Sequence, residues 1–391
     1  MHNGKYQTEI DTALEKFRKI LEQQLERADA IENQADFTDY TQKKVLKIGV
    51  IGGDGIGPII TEQSHRVLEY MLSDRVKEGS VEFKVIDGLT IENRIKHMKA
   101  IPDDVMQQIL DCDIILKGPT TTPQKGDGMP NIESANVAMR KALDLFANIR
   151  PVRVPNEEID WVIFRENTEG AYAVGALGYN VTDKLAVDFT ITTKEGSRRI
   201  AKLAYDYAKN NGYNRVSLVT KANVIKTTDG NFLSDCHAVA KDYPQITTDE
   251  WYADIMTAKL VDKKRRKDFQ ILLLPNLYGD IISDEAAEFQ GGVGTAGCAN
   301  IGKKYAMFEA IHGSAPRMVK EGRAEYADPS SMLRASAMLL SHIGESNAAK
   351  KLERALDICM FEEKKLVVTG RDSGATCREF ANYVIEVLSR I

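Results

Sequence analysis

The N-terminal stretch of the chain has apolar positions at helical spacing. Thr8 to Glu32 contains no Gly or Pro, and its apolar residues stand among Glu, Lys and Arg: Leu14, Phe17, Leu21, Ala28 and Ile31. Residues spaced in this way share one face of a helix. The pattern predicts that residues 1–42 form an amphipathic helical extension, whose narrow apolar stripe packs on the body of the protein or on another copy.

Beyond residue 42, short apolar runs alternate with longer amphipathic stretches. The strand-like runs are 45–51, 114–116, 161–164, 215–219, 270–274 and 365–368. The helix-like stretches are 59–71, 137–146, 195–210, 330–343 and 380–391. Strands that alternate with helices predict an α/β fold, in which helices cover both faces of a parallel sheet.

The section 170–193 has a different pattern, because its β-branched, aromatic and other apolar residues alternate with polar ones: Val181, Leu185, Val187, Phe189 and Ile191. Such alternation is typical of antiparallel strands with one exposed face. We expect this section to form an arm that reaches to a partner subunit.

Residues 52–58, Gly-Gly-Asp-Gly-Ile-Gly-Pro, resemble part of a dinucleotide-binding fingerprint. The full fingerprint requires the spacing Gly-x-Gly-x-x-Gly. Here Gly53, Gly55 and Gly57 are spaced two and two, and Pro58, which suits the first turn of a helix, follows at once. The segment therefore predicts a tight turn from strand to helix without a cofactor contact.

Composition restricts the class of protein. The 391 residues are 43% apolar and 28% charged, which is ordinary for a globular enzyme of one large or two medium domains. A net charge of −5 argues against a nucleic-acid partner, and no apolar run reaches the ~20 residues that span a membrane. The five scattered cysteines favour free thiols in a reducing compartment. The N-terminus lacks the features of a signal or transit peptide, so we expect a cytoplasmic protein.

Two carboxylates in the segment 276–284 are candidate metal ligands. Asp280 and Asp284 are four residues apart and share one face if a helix begins near Gly279. Like charges on one face repel unless a cation offsets them, and oxygen ligands without His or Cys suit Mg²⁺ or Mn²⁺. The alternative is a solvated helix start, where Asp is common.

A second candidate group combines Arg with Ser and Asn. Its members are Ser134, Asn136, Arg140, Arg150 and Arg165. The guanidinium group can donate to both oxygens of a carboxylate. The group predicts a substrate with several carboxylates, and scattered surface arginines are the alternative.

Taken together, these segments resemble the β-decarboxylating dehydrogenases, the family of isocitrate and isopropylmalate dehydrogenases. The matching motifs are at 47–50, 117–123, 143–151, 164–172, 221–223, 251–254, 276–284 and 309–316, and the resemblance covers residues 45–391. It implies two α/β domains with a mixed parallel sheet and a cofactor site that is not of the Rossmann type. The implied boundaries are 43–145 and 292–391 for the large domain, which includes the cofactor loop, and 146–291 for a small substrate and dimerisation domain that carries the arm at about 170–193.

The resemblance also implies a role for each matched residue. The metal ligands would be Asp280 and Asp284 with Asp254 of the partner subunit. Substrate binding would fall to Ser134, Asn136, Arg140, Arg150 and Arg165, and acid–base chemistry to Tyr172 and to Lys221 contributed across the dimer. The cofactor-binding residues would be Thr121, Thr122, Asn223, Glu309, His312, Gly313, Ser314, Ala315, Pro316, Arg317 and Asp328.

The resemblance extends to the choice of substrate and cofactor. Isopropylmalate enzymes of the family carry leucines before the first clamp arginine, whereas Ser134 and Asn136 resemble the isocitrate type and suit an additional carboxylate. NAD enzymes of the family typically carry Asp just after the His-Gly-Ser-Ala-Pro loop. Arg317 stands at that position and favours the 2′-phosphate of NADP over NAD. The longer loop 124–133 departs from the family pattern.

We therefore expect a homodimer with shared active sites that oxidises and decarboxylates isocitrate with Mg²⁺ or Mn²⁺ and NADP or NAD. Homoisocitrate, 3-isopropylmalate and tartrate are the alternative substrates. A non-catalytic regulatory subunit is the alternative from another class. Such subunits usually lose metal or clamp residues, whereas every matched position is filled here.

Overall fold

The structure, a computed structural model, describes residues 6–123, 126, 128–174 and 177–391. Its helices are α1 (Gln7–Glu32), α2 (Gly57–Met71), α3 (Ser73–Lys77), α4 (Ile91–His97), α5 (Asp103–Leu110), α6 (Ala135–Ala142), α7 (Gly170–Val174), α8 (Lys194–Asn211), α9 (Thr228–Ala240), α10 (Ala253–Val261), α11 (Asn276–Glu288), α12 (Pro316–Lys320), α13 (Ser330–His342), α14 (Ser346–Asp357) and α15 (Cys377–Arg390). Its strands are β1 (Leu46–Ile51), β2 (Val81–Val85), β3 (Ile114–Lys117), β4 (Ala147–Val154), β5 (Ile159–Glu166), β6 (Tyr179–Thr182), β7 (Leu185–Val187), β8 (Arg215–Thr220), β9 (Thr247–Tyr252), β10 (Ile271–Leu274), β11 (Gly297–Ile301) and β12 (Ala306–Ala310).

The chain divides into two compact units. Unit 1 comprises Met1–Asp36 and Ile163–Ile282, and unit 2 comprises Phe37–Val162 and Ser283–Ile391. The chain passes from one unit to the other within β5 and within α11. The domain boundaries implied by the family resemblance, at 42, 145 and 291, stay a prediction.

Unit 2 contains a mixed sheet with the strand order β2-β1-β3-β12-β11-β4. Strand β1 is parallel to β2 and β3, β12 is parallel to β3, and β11 is antiparallel to β12 and β4. Every side chain of β3 is buried, as expected for a parallel strand covered on both faces. Helix α13 packs on β11 and β12, and α15 packs on α2.

Unit 1 contains the parallel strands β10, β8 and β9, in this order. Helices α8 and α9 pack on β8. Helix α8 begins at the cap Thr193, whose hydroxyl accepts from Gly196 N, and ends at Gly212 in the left-handed conformation. The prediction of an α/β fold with a mixed, mostly parallel sheet is confirmed.

Helix α1 packs against α8 and β6 of unit 1, which confirms the predicted helix. Its apolar stripe is only partly as predicted. Ile20 and Ile31 are buried, whereas Leu14 and Leu21 are exposed. The sequence misleads here because apolar side chains occur on more than one face of this helix.

Three segments differ from the predicted elements. Residues 365–368 are not a strand, because they pair with no neighbouring strand of the described chain, although Leu366 and Val368 are partly buried. Helix α6 ends at Ala142 instead of 146, since Asp144 has a positive φ of 44° and the chain enters β4. The section 170–193 begins with α7, and among its described residues only β6 and β7 pair as antiparallel strands. Its residues 175 and 176 are outside the described part, as are 124, 125 and 127 of the loop 124–133.

All five cysteines are buried and free, as predicted. Within the described ranges, no helix is both long and apolar enough to cross a membrane.

Candidate active site

A pocket of about 100 Å³ in unit 2 contains three of the predicted substrate-binding residues. Asn136 and Arg140 enter it from α6, because residues four apart share one face of a helix. Arg150 enters it from β4. The remaining lining residues are Pro119, Thr120, Cys298, Glu309, Ala310, Ile311, His312 and Gly313. The structure thus places two guanidinium groups and an amide around one small cavity.

Glu309 positions Arg140 in this pocket. Its buried carboxylate accepts from Arg140 NH2 at 3.1 Å, from Lys117 Nζ at 3.2 Å and from Asn300 Nδ2 at 2.8 Å. Burial by itself raises the pKa of Glu309, but Lys117 and Arg140 hold it at about 2. The carboxylate therefore stays ionised and orients Arg140. Its predicted contact with the cofactor stays a prediction.

Arg150 is held beside a candidate metal ligand. Its Nε donates to Asn148 Oδ1 at 2.8 Å, and its NH1 donates to Ser283 Oγ at 2.6 Å and to Asp284 Oδ1 at 2.7 Å. The Arg150 side chain is buried, whereas that of Asp284 is 57% exposed. This leaves the Asp284 carboxylate open for a further partner.

In unit 1, two predicted site residues contact the carboxylate of a third. Asp280 on α11 forms an ion pair with Arg165 of β5 and accepts from the Tyr172 hydroxyl at 3.0 Å. The Arg165 side chain is buried, and its Nε and NH2 donate to Asn276 Oδ1 at 3.0 and 2.7 Å. Asn276, at the first position of α11, therefore fixes the guanidinium group that faces Asp280.

Lys221 and Asp254 form a second pair in unit 1, with 2.5 Å between Nζ and Oδ1. Asp229 accepts from the backbone N–H of Lys221 at 2.7 Å and fixes the chain at the end of β8. The hydrogen bond from Lys221 lowers the pKa of Asp254. Within the described residues, neither member of the pair hydrogen-bonds to Asp280 or Tyr172. Asn223 lies exposed in the turn that follows.

The donor set on α11 fits a divalent cation. Asp280 and Asp284 are four residues apart on one helix, and both carboxylates are partly exposed. Each acid has its own arginine partner, Arg165 for Asp280 in unit 1 and Arg150 for Asp284 in unit 2. Carboxylate oxygens without nitrogen or sulfur suit Mg²⁺ or Mn²⁺. Among the residues that the structure describes, no cluster contains three or more metal-ligating side chains.

The glycine-rich turn at 52–58 contacts the loop 312–316, which is predicted to bind the cofactor. Strand β1 ends at Ile51 and α2 begins at Gly57, so the predicted tight turn is confirmed. Ile56 N donates to Ser314 O at 3.0 Å, and a Cβ atom on Gly55 would lie 1.9 Å from that oxygen. Only glycine fits at this close approach.

Asp54 and Thr121 connect the same two loops. The carboxylate of Asp54 accepts from Thr121 N and from Ile91 N, each at 2.7 Å. The hydroxyl of Thr121 lies 2.8 Å from Ser314 Oγ. Thr121 and Ser314, both predicted to bind cofactor, are thus brought together, whereas Thr122 is exposed. Asp54 and Lys117 were not among the predicted site residues, although an Asp between two glycines and a Lys at the end of an apolar run are recognisable signals.

The remaining predicted positions lie around the starts of helices. Ser134 occupies the N-cap of α6 without a capping hydrogen bond, and Asp328 accepts from Ser330 N at 2.8 Å at the start of α13. Ala315 has a positive φ of 47°, and Pro316 begins α12. His312 Nδ1 lies 2.9 Å from the carbonyl oxygen of Gly313.

Arg317 faces solvent in this structure. Its side chain is 86% exposed, and its Nε donates to Glu321 Oε1 at 2.6 Å, one turn along α12. Arg323 also donates to Glu321. Two guanidinium groups therefore share one carboxylate beside the loop 312–316.

Comparisons with known proteins agree with the motifs. The family described as isocitrate/isopropylmalate dehydrogenase matches residues 47–384. An isocitrate dehydrogenase (NADP) of Rickettsia prowazekii is 39% identical over 315 residues, which are 79% of this chain and 62% of that protein. A homoisocitrate dehydrogenase of Methanocaldococcus jannaschii is 33% identical over 345 residues, which are 84% of this chain and 94% of that protein. A crystal structure of isocitrate dehydrogenase from Methylococcus capsulatus has a TM-score of 0.77 at 35% identity and covers 88% of this chain and 100% of that chain.

Proposed function

Since the chain belongs to the isocitrate/isopropylmalate dehydrogenase family, we propose that it oxidises and decarboxylates isocitrate. The observation that carries this proposal is the pocket in which Asn136, Arg140 and Arg150 converge. Two guanidinium groups and an amide suit a substrate with several carboxylates. A substrate with an isopropyl group in place of one carboxylate would leave buried polar groups of the pocket without partners. This discriminates strongly against isopropylmalate.

Homoisocitrate is the second candidate substrate, supported by the archaeal relative of that name. It carries the same three carboxylates and one additional methylene group. A single methylene changes binding by only about 1–3 kcal/mol, so the two substrates are separated by measurement of both.

Each side chain has a proposed task in the reaction. Arg140, Arg150 and Arg165 bind and orient the carboxylates of the substrate. Lys221 takes the proton of the C2 hydroxyl as hydride leaves C2 for the nicotinamide, and Tyr172 returns a proton to carbon after CO₂ has left. The hydrogen bond from Tyr172 to Asp280 supports this assignment, because it places the phenol beside a proposed metal ligand.

The proposed metal ligands are Asp280 and Asp284 with Asp254 of the partner subunit. Mg²⁺ or Mn²⁺ held there would supply Lewis-acid stabilisation of negative charge that develops on the substrate. Arg165 forms an ion pair with Asp280, and Arg150 forms one with Asp284, so each proposed ligand on α11 already has a cationic partner.

Purified protein is expected to reduce NADP with isocitrate only when Mg²⁺ or Mn²⁺ is present. The reason is that the proposed ion would stabilise the negative charge that develops on the substrate. Cofactor absorbance is measured with isocitrate, homoisocitrate, 3-isopropylmalate and tartrate, each with NADP and with NAD. Isocitrate is expected to have the highest kcat/KM. Full activity in excess EDTA would contradict the metal assignment, and a higher kcat/KM for homoisocitrate would replace the proposed substrate.

Arg317→Asp is expected to lower kcat/KM for NADP at least about tenfold, because a charge-assisted hydrogen bond contributes ~1.5–3 kcal/mol. In this proposal Arg317 exchanges Glu321 for the 2′-phosphate, and Arg323 keeps Glu321 neutralised. The value for NAD is expected to rise or to stay nearly unchanged. Lys320→Asp, at the last residue of α12, is the control for a charge change. Equal losses with both cofactors would refute the role of Arg317.

A further inference from the structure

Helix α1 makes a polar contact with the segment that carries Arg165 and Tyr172. Arg27 NH1 donates to Glu169 Oε1 at 3.0 Å, and Arg27 NH2 donates to Thr168 Oγ1 at 2.9 Å. The helix lies outside the part of the chain that matches the family, residues 47–384. A residue of the extension thus reaches a motif of the proposed active site.

The acceptor of Arg27 is a buried carboxylate. Glu169 is 3% exposed, and its oxygens also accept from the backbone N–H and the hydroxyl of Thr193 at 2.9 and 2.5 Å. Glu166 lies close by, and burial together with the charge of Glu169 raises its pKa to about 7. The buried carboxylate of Glu169 beside a second acid is costly without a cation, and Arg27 supplies one at 3.0 Å. Arg199, which donates to Thr168 at 3.1 Å, is a further cation at this cluster.

A continuous series of hydrogen bonds connects this cluster to the proposed catalytic groups. The backbone carbonyl oxygen of Glu169 accepts from Asn276 Nδ2 at 2.9 Å. Asn276 Oδ1 accepts twice from Arg165, which pairs with Asp280. The turn at 168–169 therefore fixes the amide that aims the Arg165 guanidinium, and Tyr172 follows this turn on α7.

We propose that Arg27 is a positioning residue, through which the N-terminal helix holds the 168–169 turn and thereby sets the orientation of Arg165. The role rests on the proposed function, because Arg165 is proposed there as part of the carboxylate clamp. It gives the helical extension a task in substrate binding in addition to its packing on unit 1.

Arg27→Ala is expected to raise KM for isocitrate roughly tenfold with a smaller change of kcat, because a loosened clamp loses binding in the ground state. Arg27→Lys is expected to recover most of the loss, since it keeps the charge beside Glu169 but cannot donate to Thr168 in the same fork geometry. Arg18→Ala is the matched control, because this exposed arginine lies on another face of the same helix. It is expected to keep the KM of the unchanged protein.

The outcomes separate positioning from folding. A folded Arg27→Ala protein with unchanged KM, or an equal rise of KM in Arg18→Ala, would overturn the proposal. If Arg27→Ala does not fold, Arg27→Gln, which lacks the charge and the fork geometry, decides: a raised KM at an unchanged melting temperature supports positioning, and an unchanged KM overturns it. If the unchanged protein turns over none of the substrates, the proposed function fails by itself. Hydrogen exchange of residues 165–172 then tests the connection, with faster exchange expected in Arg27→Ala and not in Arg18→Ala.

Discussion

Asp280→Asn is expected to lower kcat/KM with isocitrate by roughly two to three orders of magnitude, which corresponds to about 3–4 kcal/mol of transition-state stabilisation. The amide oxygen is neutral and binds a divalent cation poorly. The substitution also removes the carboxylate that pairs with Arg165 and accepts from Tyr172, so three groups lose their mutual alignment. Initial rates are measured over a titration of Mg²⁺. They give the loss of rate, and the half-saturating concentration of Mg²⁺ is expected to rise.

Glu288→Gln provides the control for this substitution. Glu288 is exposed at the end of α11, one turn beyond Asp284, and the change also replaces a carboxylate by an amide on the same helix. Its activity is expected to stay within about twofold of the unchanged protein, as for surface substitutions in general. If Asp280→Asn keeps full activity at every metal concentration, Asp280 is not a metal ligand, and the pair on α11 is a solvated helix feature.

Local signals in the sequence predicted six of the fifteen helices of the described chain, which are α1, α2, α6, α8, α13 and α15. The predicted stretch 195–210 became α8 (Lys194–Asn211), because a Thr cap, a regular apolar face and a terminal Gly all lie within the segment itself. The helix at 59–71 was equally recognisable from Pro58 and the glycines before it. These elements are specified by neighbours along the chain, which a sequence pattern contains.

Several strands lacked such a signal. Strand β4 contains Arg150, Pro151 and Arg153, and β9 reads Thr-Thr-Asp-Glu-Trp-Tyr, so neither has the apolar run of a buried strand. They form strands because neighbours in the sheets pair with them, β11 with β4 and β8 with β9. The opposite error occurred at 365–368, where a partly buried apolar run has no strand to pair with among the described residues. Sheet partners are distant in sequence, and this explains both kinds of error.

The sequence names candidate site residues, but it does not reveal the contacts that hold them in place. The arginines and aspartates were found by chemistry and by resemblance, and the structure brings Arg140 and Arg150 to one pocket and Arg165 and Asp280 to one ion pair. The buried pair of Lys117 and Glu309 joins residues 192 apart in sequence, and no local pattern predicts it. Arg27 is 142 residues from Glu169, and it lies in an extension that the family resemblance does not cover.

Lys221→Ala and Arg140→Ala are each expected to be nearly inactive alone and to recover activity when mixed. Loss of a general base costs about 10²–10⁴ in rate, and loss of a clamp arginine removes a carboxylate contact. In a homodimer with shared sites, each site takes Arg140 from one subunit and Lys221 from the other. A heterodimer of the two variants then contains one site with both changes and one site with neither.

Subunit exchange between equal amounts of the two variants is expected to restore about a quarter of the unchanged activity, because half of the dimers are mixed and each has one intact site of two. The structure supplies a matched control in the pair Lys221 and Asp254, whose side chains are 2.5 Å apart in one chain. Both would be delivered to the same site by the same subunit. A mixture of Lys221→Ala with Asp254→Ala is therefore expected to stay inactive, since each of its sites lacks one of the two residues.

The two mixtures together decide how the site is built. Native mass spectrometry of one isotope-labelled variant first establishes that subunits exchange. Recovery with Arg140→Ala and not with Asp254→Ala means that Lys221 and Asp254 act as a unit across the interface. Recovery in neither mixture, with exchange demonstrated, means that each chain completes its own site. In that case the 2.5 Å pair of Lys221 and Asp254 would have to open, so that Asp254 of the same chain joins Asp280 and Asp284 at the metal.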